Sequence, residues 1–136
     1  MEKRLNYILD TDTLIYFFNR KKSVVERFSS LSNLQLSITI INHAELSFGA
    51  FHSERPKQNL AKLKAFLQEI RVLPFCENAS YIYAEQKSAL NRKGTPLDDM
   101  DLMIGSIALF HKMILVTNNI KHFSRIRGLK LENWNI

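Results

Sequence analysis

The apolar positions of this chain change period several times between its two ends. Short runs rich in aliphatic and β-branched residues, Asn6 to Leu9, Leu36 to Ile41, Arg71 to Phe75 and Met113 to Val116, read as strands, with Lys130-Leu131 as a final edge strand. Between them the spacing is helical. A helix is expected to begin near Thr13, capped by the Thr and Asp residues before it, and Val24, Val25, Phe28 and Leu31 mark a second. From Asn42 the period switches, with Leu46, Gly49 and Ala50 on one helical face, and after Arg55-Pro56 the positions Leu60, Leu63, Phe66, Leu67 and Ile70 form a clear amphipathic stripe. Ala79 to Leu90 and Leu97 to Phe110 read as two more helices, separated by the turn Asn91 to Pro96.

Strands that alternate with helices imply an α/β domain built on a mostly parallel sheet with both faces covered. In such sheets ligands bind beyond the carboxyl ends of the strands. Asp10 and Asp12 follow strand one, Glu45 lies on the helix after strand two, Asn118 and Asn119 follow Val116-Thr117, and Asp98, Asp99 and Asp101 occupy the first turn of a helix. Four distant segments can therefore converge on one end of one sheet.

With 136 residues, 46% of them hydrophobic, the chain suits a single domain spanning residues 1–136 around one sizeable core. Met1 to Arg4 lead into too short an apolar run for a signal peptide, and His111-Lys112 cut the longest apolar stretch well short of a membrane span, so a soluble, cytoplasmic protein with no membrane partner is expected. Cys76 is the single cysteine, which excludes an internal disulfide and a thiolate metal site and reads as a buried structural thiol.

Charge changes the picture further. The formal net charge is +6, yet all five aspartates fall in two clusters, Asp10 with Asp12 and Asp98 with Asp99 and Asp101. A basic body with acidic islands attracts polyanions such as nucleic acid. One Asp at a strand end or helix start is ordinary capping. Three acids in four residues repel one another unless something neutralises them, and Asp10 opposite would add to the cost. A hard divalent cation resolves this, because Mg²⁺ or Mn²⁺ prefers carboxylate oxygen. His43, His52, His111 and His122 lack paired metal-ligand spacing, which disfavours zinc. Carboxylate-held metal in basic surroundings describes a nuclease. Gly105 and Ala108, on the helix that carries Asp101, are small enough to let strand one approach closely.

ILDTDTLIYFF from Ile8, Asn42-His43-Ala44-Glu45-Leu46, Gly94 to Ile104, Val116-Thr117-Asn118-Asn119 and Leu131-Glu132-Asn133-Trp134 together resemble the PIN-domain ribonucleases, specifically the VapC toxins of bacterial toxin–antitoxin pairs. The resemblance covers nearly the whole chain in order. It implies a PIN-like three-layer α/β/α fold with a central, mostly parallel sheet, and a Mg²⁺-dependent endoribonuclease with Mn²⁺ as substitute, acting on a structured RNA such as tRNA. It makes Asp10 and Asp101 the main metal-binding acids, with Glu45 and Asp99 completing the catalytic set. It also implies a small cognate antitoxin that blocks the site and a homodimer through the early helices. Asp12 stands where the family usually has Asn, and Asn119 where the wider fold often has a fourth acid.

Two other readings compete. Asp10-Thr11-Asp12-Thr13-Leu14 also resembles the opening motif of haloacid-dehalogenase-type phosphatases, but there the Thr/Ser motif precedes the late acidic pair, whereas here Asp98-Asp99 comes before Thr117. A non-catalytic RNA-binding module would need stacking aromatics, and Tyr16, Phe17, Phe18 and Phe66 sit in patterns that suit a core. Trp134 is expected against the sheet edge. No G-x-S-x-G elbow and no phosphate-cradling glycine loop is present.

Overall fold

A computed structural model describes residues 5–136, and Met1 to Arg4 lie outside the described residues. Five strands form one sheet in the order β3-β2-β1-β4-β5: β1 (Tyr7–Leu9), β2 (Leu36–Thr39), β3 (Arg71–Leu73), β4 (Ile114–Val116) and β5 (Leu131–Glu132). Every pairing is parallel. The connections carry α1 (Thr11–Phe18) and α2 (Lys22–Ser29), then α3 (Ile40–Phe51) and α4 (Pro56–Leu67), then α5 (Glu77–Arg92) and α6 (Asp99–His111), and last α7 (Ile120–Phe123).

Successive strand residues point to opposite faces of a sheet, and both faces here are covered. Tyr7, Leu9, Leu36, Ile38, Ile114 and Val116 enter one core, which α1, α2, α3 and α4 close. Ile8, Leu73 and Leu115 enter the other, which α5, α6 and α7 close. This is the expected three-layer arrangement. From β1 the chain moves outward through β2 and β3, then returns to the other side of β1 for β4 and β5. The direction of winding reverses between β1 and β4, and the crevice at that switch point is where such sheets bind ligands.

The differences from the sequence reading have local causes. The second strand stops at Thr39 despite the β-branched Ile40 and Ile41, because Thr39 and Asn42 form a reciprocal capping box: the Thr39 hydroxyl accepts from the Asn42 backbone N–H and Asn42 Oδ1 accepts from that of Thr39. The first helix starts at Thr11 rather than Thr13, with Asp10 as its cap. α6 starts at Asp99 rather than Leu97, because Asp98 takes the capping position and accepts from the Asp101 N–H at 3.4 Å. On α3 the inward face is Asn42, Leu46 and Ala50, and Gly49 points into open space.

The close approach at Gly105 is also different from expectation. A Cβ there would collide with Ile126 and touch Leu129, so the missing side chain admits the segment after α7 rather than strand one. Cys76 is half-buried beside the second core and forms no disulfide. Trp134 packs edge-on against Tyr7 of the central strand, with ring centroids 5.6 Å apart, and the Arg27 guanidinium lies over both rings. Phe17 and Phe66 join the first core, but Phe18 stays 43% exposed while meeting Phe66 edge-to-face at 5.0 Å. Among the described residues no helix is long and apolar enough to cross a membrane.

Candidate active site

Parallel pairing sets Leu9 beside Val116, so the chain leaves β1 and β4 at the same level. Asp10 is the next residue after β1, and Thr117 the next after β4. The Asp10 N–H donates to the Val116 carbonyl at 2.9 Å, extending the ladder by one step. Its side chain is then held from three directions: Oδ1 accepts from the Thr11 N–H at 2.9 Å and from Asn42 Nδ2 at 3.3 Å, and Oδ2 accepts from the Thr117 hydroxyl at 2.7 Å. Asp10 is 6% exposed. The residue that caps α1 is thus also the buried acid at the switch point.

Asn42 is fully buried one turn before Glu45 on α3, and it also donates to the Thr11 hydroxyl at 3.0 Å. Thr11 in turn donates to Glu45 Oε1 at 2.7 Å. A chain of donors thus runs from the end of β2 to Asp10 and Glu45. Asp12 has a holding role: its carboxylate accepts from Thr13 at 3.2 Å, from Thr117 at 3.4 Å and from the Asn118 N–H at 3.0 Å, tying α1 to the loop after β4. Asn133 and Asn135 brace that loop through Asn118 Oδ1.

The electrostatics follow from this crowding. Burial, then the Asp12 charge, pushes the Asp10 carboxyl from 3.8 up to about 7, against the bonds from Thr117 and Thr11. Burial also raises Asp12. Asp101 rises to about 6 through burial and the charges of Asp98, Glu45 and Asp12, while His122 pulls it back. Among the described residues no Lys or Arg forms an ion pair with Asp10, Asp12, Glu45 or Asp101.

The second acidic cluster divides its work. Asp98 caps α6, Asp101 turns toward the β1 acids, and Asp99 does neither. Asp99 Oδ1 accepts from Lys87 at 2.9 Å and from the Tyr83 hydroxyl at 2.8 Å, both on α5, and these partners lower its pKa. Asp99, expected to complete the catalytic set, is placed facing Lys87 and Tyr83 of α5 rather than the acids that follow β1.

Among the described residues no three His, Cys, Asp or Glu side chains stand close enough to enclose an ion by themselves. The donor set suits a cation that takes one or two carboxylates and keeps much of its water, as Mg²⁺ does. Asp10 and Asp101, both raised in pKa and without a Lys or Arg partner among the described residues, are carboxylates that could supply it. Beside Thr11 and Glu45 opens a cleft of about 660 Å³ whose walls include Arg20, Asn59 and Lys62.

Sequence reasoning missed Asn42 and Thr117 as functional groups. A Thr-x-x-Asn capping signal with the Asn one turn before Glu45 was the available sign for the first. A Thr directly after a buried β-branched strand was the sign for the second.

The PIN domain family pattern matches residues 7–129. A ribonuclease VapC2 of Rickettsia felis is 37% identical over 130 residues, covering 94% of this chain and 97% of that protein. A tRNA(fMet)-specific endonuclease VapC of Salmonella typhimurium is 35% identical over 131 residues, covering 96% and 98%. The crystal structure of DNA-bound VapBC from Salmonella typhimurium contains a chain that superposes with a TM-score of 0.89 at 35% identity, covering 96% of this chain and 99% of that one. This chain belongs to the PIN-domain family and, within it, to the VapC ribonucleases.

Proposed function

We propose that this protein is a divalent-metal-dependent endoribonuclease, the toxin of a toxin–antitoxin pair, acting on a structured RNA such as tRNA. The observation that carries the metal reading is Asp10: a buried carboxylate at the switch point, raised to about 7 and facing further acids without a basic partner. When bound at Asp10 and Asp101, Mg²⁺ or Mn²⁺ supplies an acidified water and positive charge against the phosphodiester.

The chain's own residues do the rest. Thr117, Asn42 and the Thr11 N–H fix Asp10 in one orientation. Thr11 holds Glu45 through Oε1, which leaves Oε2 to receive a proton. Asp99 contributes through Lys87 and Tyr83, steadying the start of α6 rather than touching substrate. Arg20 and Lys62 line the cleft beside Glu45, where RNA phosphates gain from cations.

The relatives' solved assemblies are VapBC complexes, which supports a small cognate antitoxin as partner. We carry the homodimer as a proposal too, since α1 exposes Ile15 and Phe18. The deciding experiment is cleavage of a tRNA transcript with Mg²⁺, with Mn²⁺ and with excess EDTA, beside an Asp10→Asn control. Cleavage is expected only with metal and only in the parent. Equal cleavage in EDTA would overturn the metal reading, and equal cleavage by Asp10→Asn would overturn the site.

A further inference from the structure

α7 begins three residues after Thr117 and is pinned next to α6. Phe123 is fully buried in the core that α6 closes, and Ile126 fills the space Gly105 leaves open. His122, the residue before this anchor, is exposed. Its backbone is thus fixed by the core while its ring reaches solvent beside the acids.

The ring is also oriented. Asn119 Nδ2 stands 2.7 Å from His122 Nδ1. An amide nitrogen only donates, so Nδ1 accepts, and the neutral ring carries its proton on Nε2. Lys121 and Arg125 are exposed as well, but Arg125 is drawn to the Pro96 carbonyl at 3.1 Å, and Lys121 is a flexible point charge that would steer RNA without fixing it. His122 differs in carrying a neutral ring donor that its neighbour Asn119 orients.

The ring is tied to the site by bonds: Asn119, which orients it, donates its backbone N–H to the Thr117 hydroxyl at 3.0 Å, and that hydroxyl donates to Asp10 Oδ2 at 2.7 Å. A phosphodiester brought to Asp101 by a cation would meet, on the α7 side, an aimed N–H rather than another carboxylate.

We propose that His122 is a substrate-contacting residue of this nuclease, donating from Nε2 to a phosphate oxygen of the RNA bound at Asp101, with Asn119 as the positioning residue that aims it. The assignment rests on the ribonuclease reading and adds to it a donor from α7.

The test uses the full chain and a tRNA transcript. His122→Ala should lower kcat/KM by about 10- to 100-fold, as loss of a hydrogen bond to a charged group does. His122→Gln keeps a neutral donor of similar reach and should recover most of that loss, while Asn119→Ala should give an intermediate fall. In the Asp10→Asn background, which separates binding from cleavage, His122→Ala should weaken affinity for the transcript, and the His122 Nε2 resonance should shift when RNA is added. Parent-like cleavage and affinity in His122→Ala would overturn the proposal. Equal losses in His122→Ala and His122→Gln, with unchanged melting temperatures, would overturn the donor role. If the parent fails to cleave RNA with Mg²⁺, the ribonuclease reading fails instead, while affinity and the Nε2 resonance still decide whether His122 meets RNA.

Discussion

Asp99 and Asp101 stand two residues apart on the same helical turn, and the protein treats them in opposite ways. Asp99 is exposed, met by Lys87 and Tyr83, and held below its ordinary pKa. Asp101 is half-buried, met by other acids, and raised to about 6. Side chains two apart on a helix do not share a face, so one turn can present a neutralised carboxylate to α5 and an unneutralised one to the sheet end. Proximity in sequence therefore says little about which acid can take a cation. What decides is how deeply each one is buried and then the charge of the group it faces.

The strongest way to break this contrast is through activity. Asp10→Asn and Asp101→Asn should each lower RNA cleavage by orders of magnitude while leaving affinity largely intact, as cleavage and binding assays on the same transcript will show. Asp99→Asn should stay near the parent. If Asp99→Asn proves as damaging as Asp101→Asn, the division drawn between them is wrong.

Metal-linked stability sharpens the same contrast. Mg²⁺ at a hundredfold excess over its dissociation constant should stabilise the parent by about 2.7 kcal/mol through preferential binding to the folded state. Asp101→Asn should melt higher than the parent without metal, because one like charge is gone, and should gain less from Mg²⁺. Thermal melts of both proteins with and without the ion decide the matter. An Asp101→Asn protein that melts lower and keeps the full gain would make Asp101 a structural residue.

A gentler effect is expected of pH. Asp10 has a folded pKa of about 7 against an ordinary 3.8, so the folded state binds its proton more readily than the unfolded chain. Its cost is absent at low pH, grows as pH rises from about 4 to about 7, and is constant above. Metal-free protein should therefore lose stability across that window, and denaturant midpoints at several pH values should show the slope flattened in Asp10→Asn. The smallest effect is reserved for Lys87→Met, which removes the partner of Asp99 while leaving Asp10 untouched. Its cleavage should fall less than that of Asp101→Asn.

The sheet, the helix order and the convergence of Asp10, Glu45 and Asp101 were legible in the sequence. Period, β-branched runs and the strand-end rule operate locally, whereas the pairing of β1 with β4 joins segments more than a hundred residues apart. The fate of Asp99 was not legible, because its partner Lys87 lies twelve residues away on another helix and nothing local announces the pair. Nor was the end of β2, where a capping box overrode two isoleucines of high strand propensity. Gly105 was correctly read as a place of close approach, but the approaching segment comes from later in the chain.

The parallel pairing of β1 with β4 carries a consequence for synthesis. Asp10 leaves the ribosome 107 residues ahead of Thr117, whose hydroxyl orients it, and the loop around Thr117 is braced by the still later Asn133 and Asn135. Contacts of such long sequence separation form late, since the intervening chain must be ordered first. A nascent or truncated chain lacking its final segment thus has the acids without their geometry. The orientation of Asp10 is therefore complete only once Thr117, Asn133 and Asn135 have all been made and packed.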